Sequence, residues 1–140
     1  PTISFAVPSK NEEENIRETI LKIAQTDYPK DKFDIIAIND GSTDNTLAEM
    51  KKAEKIAAGG GIKVEIVDWN VNKGKREGMA ECVKRSENEI IIFIDSDSFV
   101  EPNAAKNLVK YFSDPKVSAV AGHAYVANAD TNTLTKMQDV

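Results

Sequence analysis

Asp95 and Asp97 stand one residue apart, directly after the unbroken apolar run Ile90-Ile91-Ile92-Phe93-Ile94. On an extended chain, side chains two positions apart point the same way and lie about 6–7 Å apart. A small bend at the strand end brings both carboxylates within reach of one divalent cation. Hard oxygen ligands of this kind suit Mg²⁺ or Mn²⁺, with substrate phosphates completing the shell. Asp-Ser-Asp-Ser is also ordinary turn chemistry at the end of a strand, so the pair alone leaves both readings open. Other acids shift the balance. Asp40 follows the apolar run that starts at Phe33, Asp68 follows Ile62, Val64 and Ile66, and Lys75 lies a few residues further on. Carboxylates gathered on one edge repel each other unless a cation is shared. Asp40, Asp68, Asp95 and Asp97, with Lys75 nearby, point to a metal-dependent site for an anionic ligand, most simply a nucleoside diphosphate.

Positioning these groups requires strands that all deliver their ends to one rim. The apolar pattern supplies them. Ile3, Phe5 and Val7 mark a first strand closed by Pro8, and residues 9–12 have the Ser-x-x-Glu spacing of a capping box opening a helix on Ile16, Ile20, Ile23 and Ala24. A second strand over residues 33–38 leads to Leu47, Met50, Ala53 and Ala57 at helical spacing, stopped by Gly59-Gly60-Gly61. Ile62, Val64 and Ile66 alternate with Lys63 and Glu65, as in a half-exposed strand near a sheet edge. Met79, Cys82, Val83 and Ser86 mark a third helix. The run 90–94 reads as a strand buried on both faces. Pro102 suits the first turn of a fourth helix whose inward face is Ala105, Leu108, Val109 and Phe112. Residues 117–121 form a fifth strand candidate, with a short extended piece at Tyr125-Val126 and a helix opening near Thr133. Strand and helix therefore alternate, which specifies an α/β fold with right-handed crossovers and a mostly parallel sheet covered by helices on both faces. In such a sheet ligands bind where the carboxyl ends of the strands meet. The loops over residues 8–14, 39–43, 68–75 and 95–98 all belong to that rim.

Composition bounds the partners. The 140 residues suit one domain, 1–140, and carry 23 acidic against 18 basic side chains, for a net charge of −5. With no long basic run, nucleic acid and anionic membrane are poor main partners. Cys82 is the single cysteine and His123 the single histidine, which excludes an internal disulfide, a cysteine or paired-histidine zinc site and a Ser-His-Asp triad. The lone cysteine and the lack of any Asn-x-Ser/Thr acceptor fit a reducing, cytoplasmic setting. No apolar run approaches the ~20 residues that span a bilayer. The chain starts at Pro1 and stops at Gln138-Asp139-Val140, inside what reads as an opening helix, so it is expected to be cut from something longer.

Four blocks in order, Val7-Pro8-Ser9-Lys10-Asn11-Glu12-Glu13, Asn39-Asp40-Gly41-Ser42-Thr43-Asp44-Asn45-Thr46, Asn72-Lys73-Gly74-Lys75 and Asp95-Ser96-Asp97, resemble the motifs of family 2 glycosyltransferases. Gly74-Lys75-Arg76-Glu77 and Asp95-Ser96-Asp97-Ser98 are most similar to the processive hyaluronan, chitin and cellulose synthase branch. The resemblance implies a Rossmann-like GT-A nucleotide-binding half and a UDP-sugar donor. It also implies a glycan or lipid-linked acceptor, a Mn²⁺ or Mg²⁺ cofactor, and a place as the cytoplasmic domain of a membrane-bound synthase. Carried over by position, Pro8, Ser9, Lys10 and Glu12 would line the nucleoside pocket, and Asp40 would accept from the uracil ring nitrogen. Asp68 would join the donor site, Lys75 would lie near the diphosphate, and Asp95 and Ser96 near the ribose and donor sugar. Asp97, with Asp95, would hold the metal. Two positions depart from the pattern: Lys10 stands where an aromatic usually stacks on the base, and Asn39 replaces a frequent first aspartate. The family's general base, in a Glu-Asp or similar motif, and its Gln-x-x-Arg-Trp motif do not occur before Val140. The chain thus reads as the donor-binding half, with catalytic residues beyond it.

Some residues attract attention without a role. Cys82 reads as buried and inert, His123 as a loop residue near the acceptor path, Gly59-Gly60-Gly61 as a helix stop, and Glu12 to Glu14 as a solvated first turn at the positive end of a helix. Two other functions share parts of this pattern. A sugar-phosphate nucleotidyltransferase would show a Gly-rich basic loop after the first strand, where this chain has Pro8-Ser9-Lys10-Asn11-Glu12. A phosphoacceptor receiver domain would draw its acidic pair from that same loop.

Overall fold

The computed structural model describes residues 1–98, 100–114, 116, 121–123 and 136–138. Its centre is a four-stranded, all-parallel sheet of β1 (Ile3–Ser9), β2 (Phe33–Asp40), β3 (Val64–Trp69) and β4 (Ile90–Phe93), in the order β3-β2-β1-β4. Between the strands run α1 (Ile16–Ala24), α2 (Thr46–Gly59) and α3 (Lys75–Arg85), and α4 (Ala104–Val109) follows β4, tightening into a 3₁₀ turn over Lys110–Ser113.

The two-residue strand period sorts the core into two layers. Ile3, Phe5 and Val7 of β1 face the same side as Phe33, Ile35 and Ala37 of β2, where they meet Ile16, Ile20 and Ile23 of α1, Met50, Ala53 and Ala57 of α2 and Ala105 of α4. The rings of Phe5 and Phe33 meet edge to face at 5.6 Å. On the other side Ala6, Ile36, Ile38 and Val67 pack against Cys82 of α3. Arg85 ties this helix to β3 by bonding Glu65 at 2.8 Å, and also pairs with Glu81 of its own helix at 2.7 Å. Burial pushes the Cys82 thiol up to about 12, so it stays an unreactive core group as the sequence suggests. The foot of the sheet is closed by Ser4, whose hydroxyl donates to Asp34 at 2.7 Å and accepts from Ser86 and Asn88.

Helix ends depart from the local reading where distant partners compete. The glycine stop after α2 forms as expected: Gly61 is left-handed at φ +84°, Gly61 N–H donates to Ala58 O, and Ile62 N–H donates to Ala57 O. The capping box at Ser9-x-x-Glu12 does not form. Ser9 belongs to β1, α1 begins only at Ile16, and the Glu12 N–H that a cap would satisfy is taken by Thr46 Oγ1 at 2.9 Å. The inward faces also shift slightly. Thr46 rather than Leu47 is buried on α2, and on α3 Gly78 is buried with Cys82 while Val83 is 55% exposed. Pro102 lies in the turn before α4 rather than in its first turn.

A larger correction concerns β4. Read as a strand buried on both faces, it is an edge strand among the described residues, pairing with β1, and Phe93 is 41% exposed. Apolar content reports that a strand packs on both faces, which Ile90, Ile92 and Ile91 do, but strand order decides whether its sides are covered too. β5 (Ala121–His123) and β6 (Lys136–Gln138) pair antiparallel, so the strand expected at 117–121 is met only at Ala121 and the expected helix is absent at 136–138. Residues 117–120, Tyr125, Val126 and Thr133 lie outside the described residues. No helix among the described residues is long and apolar enough to cross a membrane.

Candidate functional site

With β1 flanked by β2 on one side and β4 on the other, the winding of the sheet reverses at β1. At such a switch point the loops leaving adjacent strands diverge and open a crevice at their carboxyl ends. A cleft of about 470 Å³ lies at the rim formed by these loops. It is lined by Pro8 and Ser9 at the end of β1 with Lys10 and Glu12 beyond it, by Asp40 at the end of β2, by Asn72 and Gly74 before α3 and Lys75 at its start, and by Asp95, Ser96 and Asp97 after β4. The structure therefore brings together every residue that the sequence singles out for the site, with one exception. Asp68 does not line the cleft. Register explains why: Asp68 pairs with Asn39, whereas Asp40 pairs with Trp69, so the pleat sends Asp68 and Asp40 to opposite faces.

Asp68 instead accepts a 2.8 Å hydrogen bond from the Asn39 amide. This contact accounts for Asn39, because an aspartate in its place would set two carboxylates against each other. Asn39→Asp is expected to destabilise the chain by about 1–2 kcal/mol at pH 7, because two carboxylates then face each other. Urea denaturation at pH 7 reads this directly. An unchanged midpoint at pH 7 contradicts the contact.

Asp40 is buried and holds a loop. Its Oδ1 accepts the Lys73 N–H at 2.6 Å, and its Oδ2 accepts the Gly74 N–H at 2.9 Å and the Asn72 amide at 3.1 Å. Gly41 lets the loop come close: its φ is +66°, and a Cβ there would lie 2.4 Å from the Asn72 nitrogen. Gly74, at φ +99°, is the N-cap from which Lys75 enters α3. Lys75 then reaches across the cleft, with Nζ 2.6 Å from Asp95 Oδ1. The 95–98 segment is a turn closed by Ser98 N–H to Asp95 O at 3.0 Å and pinned to α1 by Thr19 Oγ1, which donates to Ser96 O at 2.7 Å.

Beside the cleft, outside its lining, two loops far apart in sequence clamp each other. Asn11, left-handed at φ +52°, donates its N–H to Ser42 Oγ at 2.9 Å, and its Oδ1 accepts the Thr43 N–H at 2.8 Å. Glu13 accepts the Asn45 N–H at 3.0 Å, so it joins this clamp rather than forming a merely solvated first turn. Desolvation works against the Asp44 carboxylate. Hydrogen bonds from the Thr46 hydroxyl and from backbone N–H groups, Thr46 and Glu13 among them, outweigh it and hold the carboxyl below its ordinary value. Asn72 and Gly74 in the cleft lining, and Asn11 in the clamp beside it, are residues that a residue-by-residue search for reactive groups passes over. Their signal is conformational, since Gly and Asn are the residues that tolerate left-handed backbone.

Among the described residues no three His, Cys, Asp or Glu side chains converge as a metal cage. Asp95 and Asp97 still fit a divalent ion chemically. Both are exposed hard-oxygen donors at the cleft, and Asp95 already holds a cationic ammonium, leaving room for ligand oxygens to complete a shell. A receiver domain is excluded by topology, since that fold orders its strands 2-1-3-4-5.

Comparison with known proteins agrees with this geometry. The chain is 33% identical over 141 residues to a hyaluronan synthase of Streptococcus pyogenes, covering 99% of this chain and 33% of that protein. It is 31% identical to a poly-beta-1,6-N-acetyl-D-glucosamine synthase of Staphylococcus epidermidis, again over 99% of this chain and 32% of the relative. The chain thus spans about a third of the length of these relatives. Among solved structures, a mannosyltransferase from Pyrobaculum calidifontis in complex with GDP-Man and Mn²⁺ superposes with a TM-score of 0.78 at 25% identity, covering 84% of this chain and 34% of that one. S. aureus TarS 1-349 in complex with UDP-GlcNAc superposes with a TM-score of 0.68 at 26% identity, covering 81% and 32%. Residues 4–140 match the model of Glycosyl transferase family 2, and the chain belongs to that family.

Proposed function

We propose that this chain is the donor-binding part of a metal-dependent, inverting glycosyltransferase that takes its sugar from a UDP-sugar and passes it to a hydroxyl of a glycan or lipid-linked acceptor. The observation that carries the reading is one cleft holding a fixed carboxylate, Asp40, at one end and, at the other, Lys75 paired with Asp95, with Asp97 in the same lining. Its volume of about 470 Å³ falls among small-molecule sites.

The roles follow from the chemistry of each group. A carboxylate offers about four acceptor positions, and three donors already hold Asp40. That leaves one acceptor position, which suits the ring N–H of uracil and not the bare ring nitrogen of cytosine. Pro8, Ser9 and Lys10 form the wall against which the nucleoside lies. Lys75 neutralises the diphosphate, and Asp95 and Asp97 supply the protein oxygens for Mn²⁺ or Mg²⁺. That ion, when bound, stabilises the charge that grows on the departing UDP. The Ser96 backbone, anchored by Thr19, keeps both carboxylates at the rim. The base that takes the acceptor proton is expected beyond Val140, so this chain should bind donor but transfer sugar poorly or not at all. We place the parent protein at the cytoplasmic face of a membrane, as a polysaccharide synthase. The support is its likeness to two polymer synthases.

Thermal melting in Mn²⁺ with different ligands tests the base and the reaction class together. UDP at about a hundred times its Kd should add about 2.7 kcal/mol to stability and raise the Tm. CDP, CTP and acetyl phosphate should raise it far less. Equal stabilisation by CDP contradicts the role of Asp40, and equal stabilisation by GDP contradicts the choice of uridine.

A further inference from the structure

Lys75 is the first residue of α3 and Arg76 the second, so two cations sit at the positive end of a helix dipole. That placement is unfavourable for a cation unless an anion comes close. Glu77 lies in the same first turn, and the anion that Lys75 itself meets is Asp95, at 2.6 Å, although both side chains are more than half exposed. The same carboxylate is needed for the divalent ion, and among the described residues no third acid, histidine or cysteine converges with it and Asp97. A metal ion arriving alone therefore meets two carboxylates, one of them already neutralised, and a lysine ammonium that repels it.

We infer that the Lys75–Asp95 pair is a cation-exchange latch that makes metal and nucleotide binding depend on each other, an inference that rests on the reading given under Proposed function. Diphosphate oxygens draw Lys75 off Asp95, and the released carboxylate, with Asp97 and the phosphates, becomes available to the divalent ion. Metal alone binds weakly, nucleotide alone leaves Asp95 without a counter-ion, and together each helps the other. By reciprocity, the factor by which UDP tightens Mn²⁺ equals the factor by which Mn²⁺ tightens UDP.

The test measures free Mn²⁺ by electron paramagnetic resonance, with and without UDP, for the wild-type chain, Lys75→Met and Lys75→Arg. Lys75 is two-thirds exposed and methionine is a good helix former, so folding is preserved and circular dichroism checks it. Lys75→Met should bind Mn²⁺ alone about fivefold more tightly, as expected when a surface ion pair worth up to about 1 kcal/mol no longer competes. It should bind UDP in saturating Mn²⁺ about tenfold or more weakly, having lost a charged contact to phosphate. Lys75→Arg should match wild type for Mn²⁺ alone. The two changes for Lys75→Met have opposite signs, which a general loss of structure cannot produce. If Lys75→Met binds Mn²⁺ alone no better than wild type while wild type still binds UDP with Mn²⁺, the latch is overturned and the donor site stands. If wild type binds no UDP with Mn²⁺, the underlying reading fails.

Discussion

Gly41→Ala is expected to abolish detectable UDP binding and to lower stability by about 2–4 kcal/mol. The residue sits at φ +66°, and its added methyl group would lie 2.4 Å from the Asn72 nitrogen and 2.7 Å from the Val71 carbonyl carbon. Those atoms are backbone, so no rotamer change relieves the overlap. The loop over residues 70–73 must move away from β2, and with it go the Lys73 and Gly74 N–H groups that hold Asp40. One methyl group thus reaches both ends of the cleft, the Asp40 carboxylate and the entry of Lys75 into α3. Urea denaturation and a UDP titration check the two effects. Gly78→Ala is a fair comparison, since its Cβ would meet side-chain atoms alone, Pro8 Cβ at 3.1 Å, Pro8 Cγ at 3.7 Å and Ile38 Cγ2 at 3.9 Å. A variant Gly41→Ala that melts and binds like wild type contradicts the described path of the loop.

Asp40→Asn should cost about 2–3 kcal/mol of stability and at least about tenfold in UDP affinity. The substitution keeps the shape but turns one oxygen into an amide nitrogen. That nitrogen must face either the Lys73 N–H or the Gly74 N–H, now at 2.6 and 2.9 Å from carboxylate oxygens. A donor set against a donor in a buried position loses a charge-assisted bond and leaves an N–H without an acceptor. If Asp40 served only to hold the loop, the affinity loss would vanish once the folded fraction is corrected for. A loss that persists for UDP but is smaller for CDP identifies the remaining acceptor position as the one that reads the base.

The residues of the site were legible in the sequence to different depths. Asp40, Asp95, Asp97 and Lys75 are readable because each follows a strand or opens a helix, and a parallel sheet sends strand ends to one rim. β1 and β2 are readable from their short apolar runs, and the glycine stop after α2 from its composition. Asp68 shows the limit of that reasoning. It follows a strand as Asp40 does, yet a one-residue difference in register puts it on the other face, and register is set between strands rather than within one. The capping box at Ser9 fails for a related reason. Its geometry is local, but Thr46, 34 residues away from Glu12, supplies the acceptor instead. β4 was misjudged because five apolar residues in a row describe two packed faces and carry no information on which strand lies alongside.

Calorimetric titration of the chain with UDP, in Mn²⁺ and then in EDTA, tests the central claim most directly. Saturable one-to-one binding in Mn²⁺ is expected, weakening at least about tenfold in EDTA and falling toward that EDTA level in Asp97→Asn even with Mn²⁺ present. A folded chain that shows no heat at millimolar UDP with Mn²⁺, or that binds UDP equally well in EDTA, contradicts it.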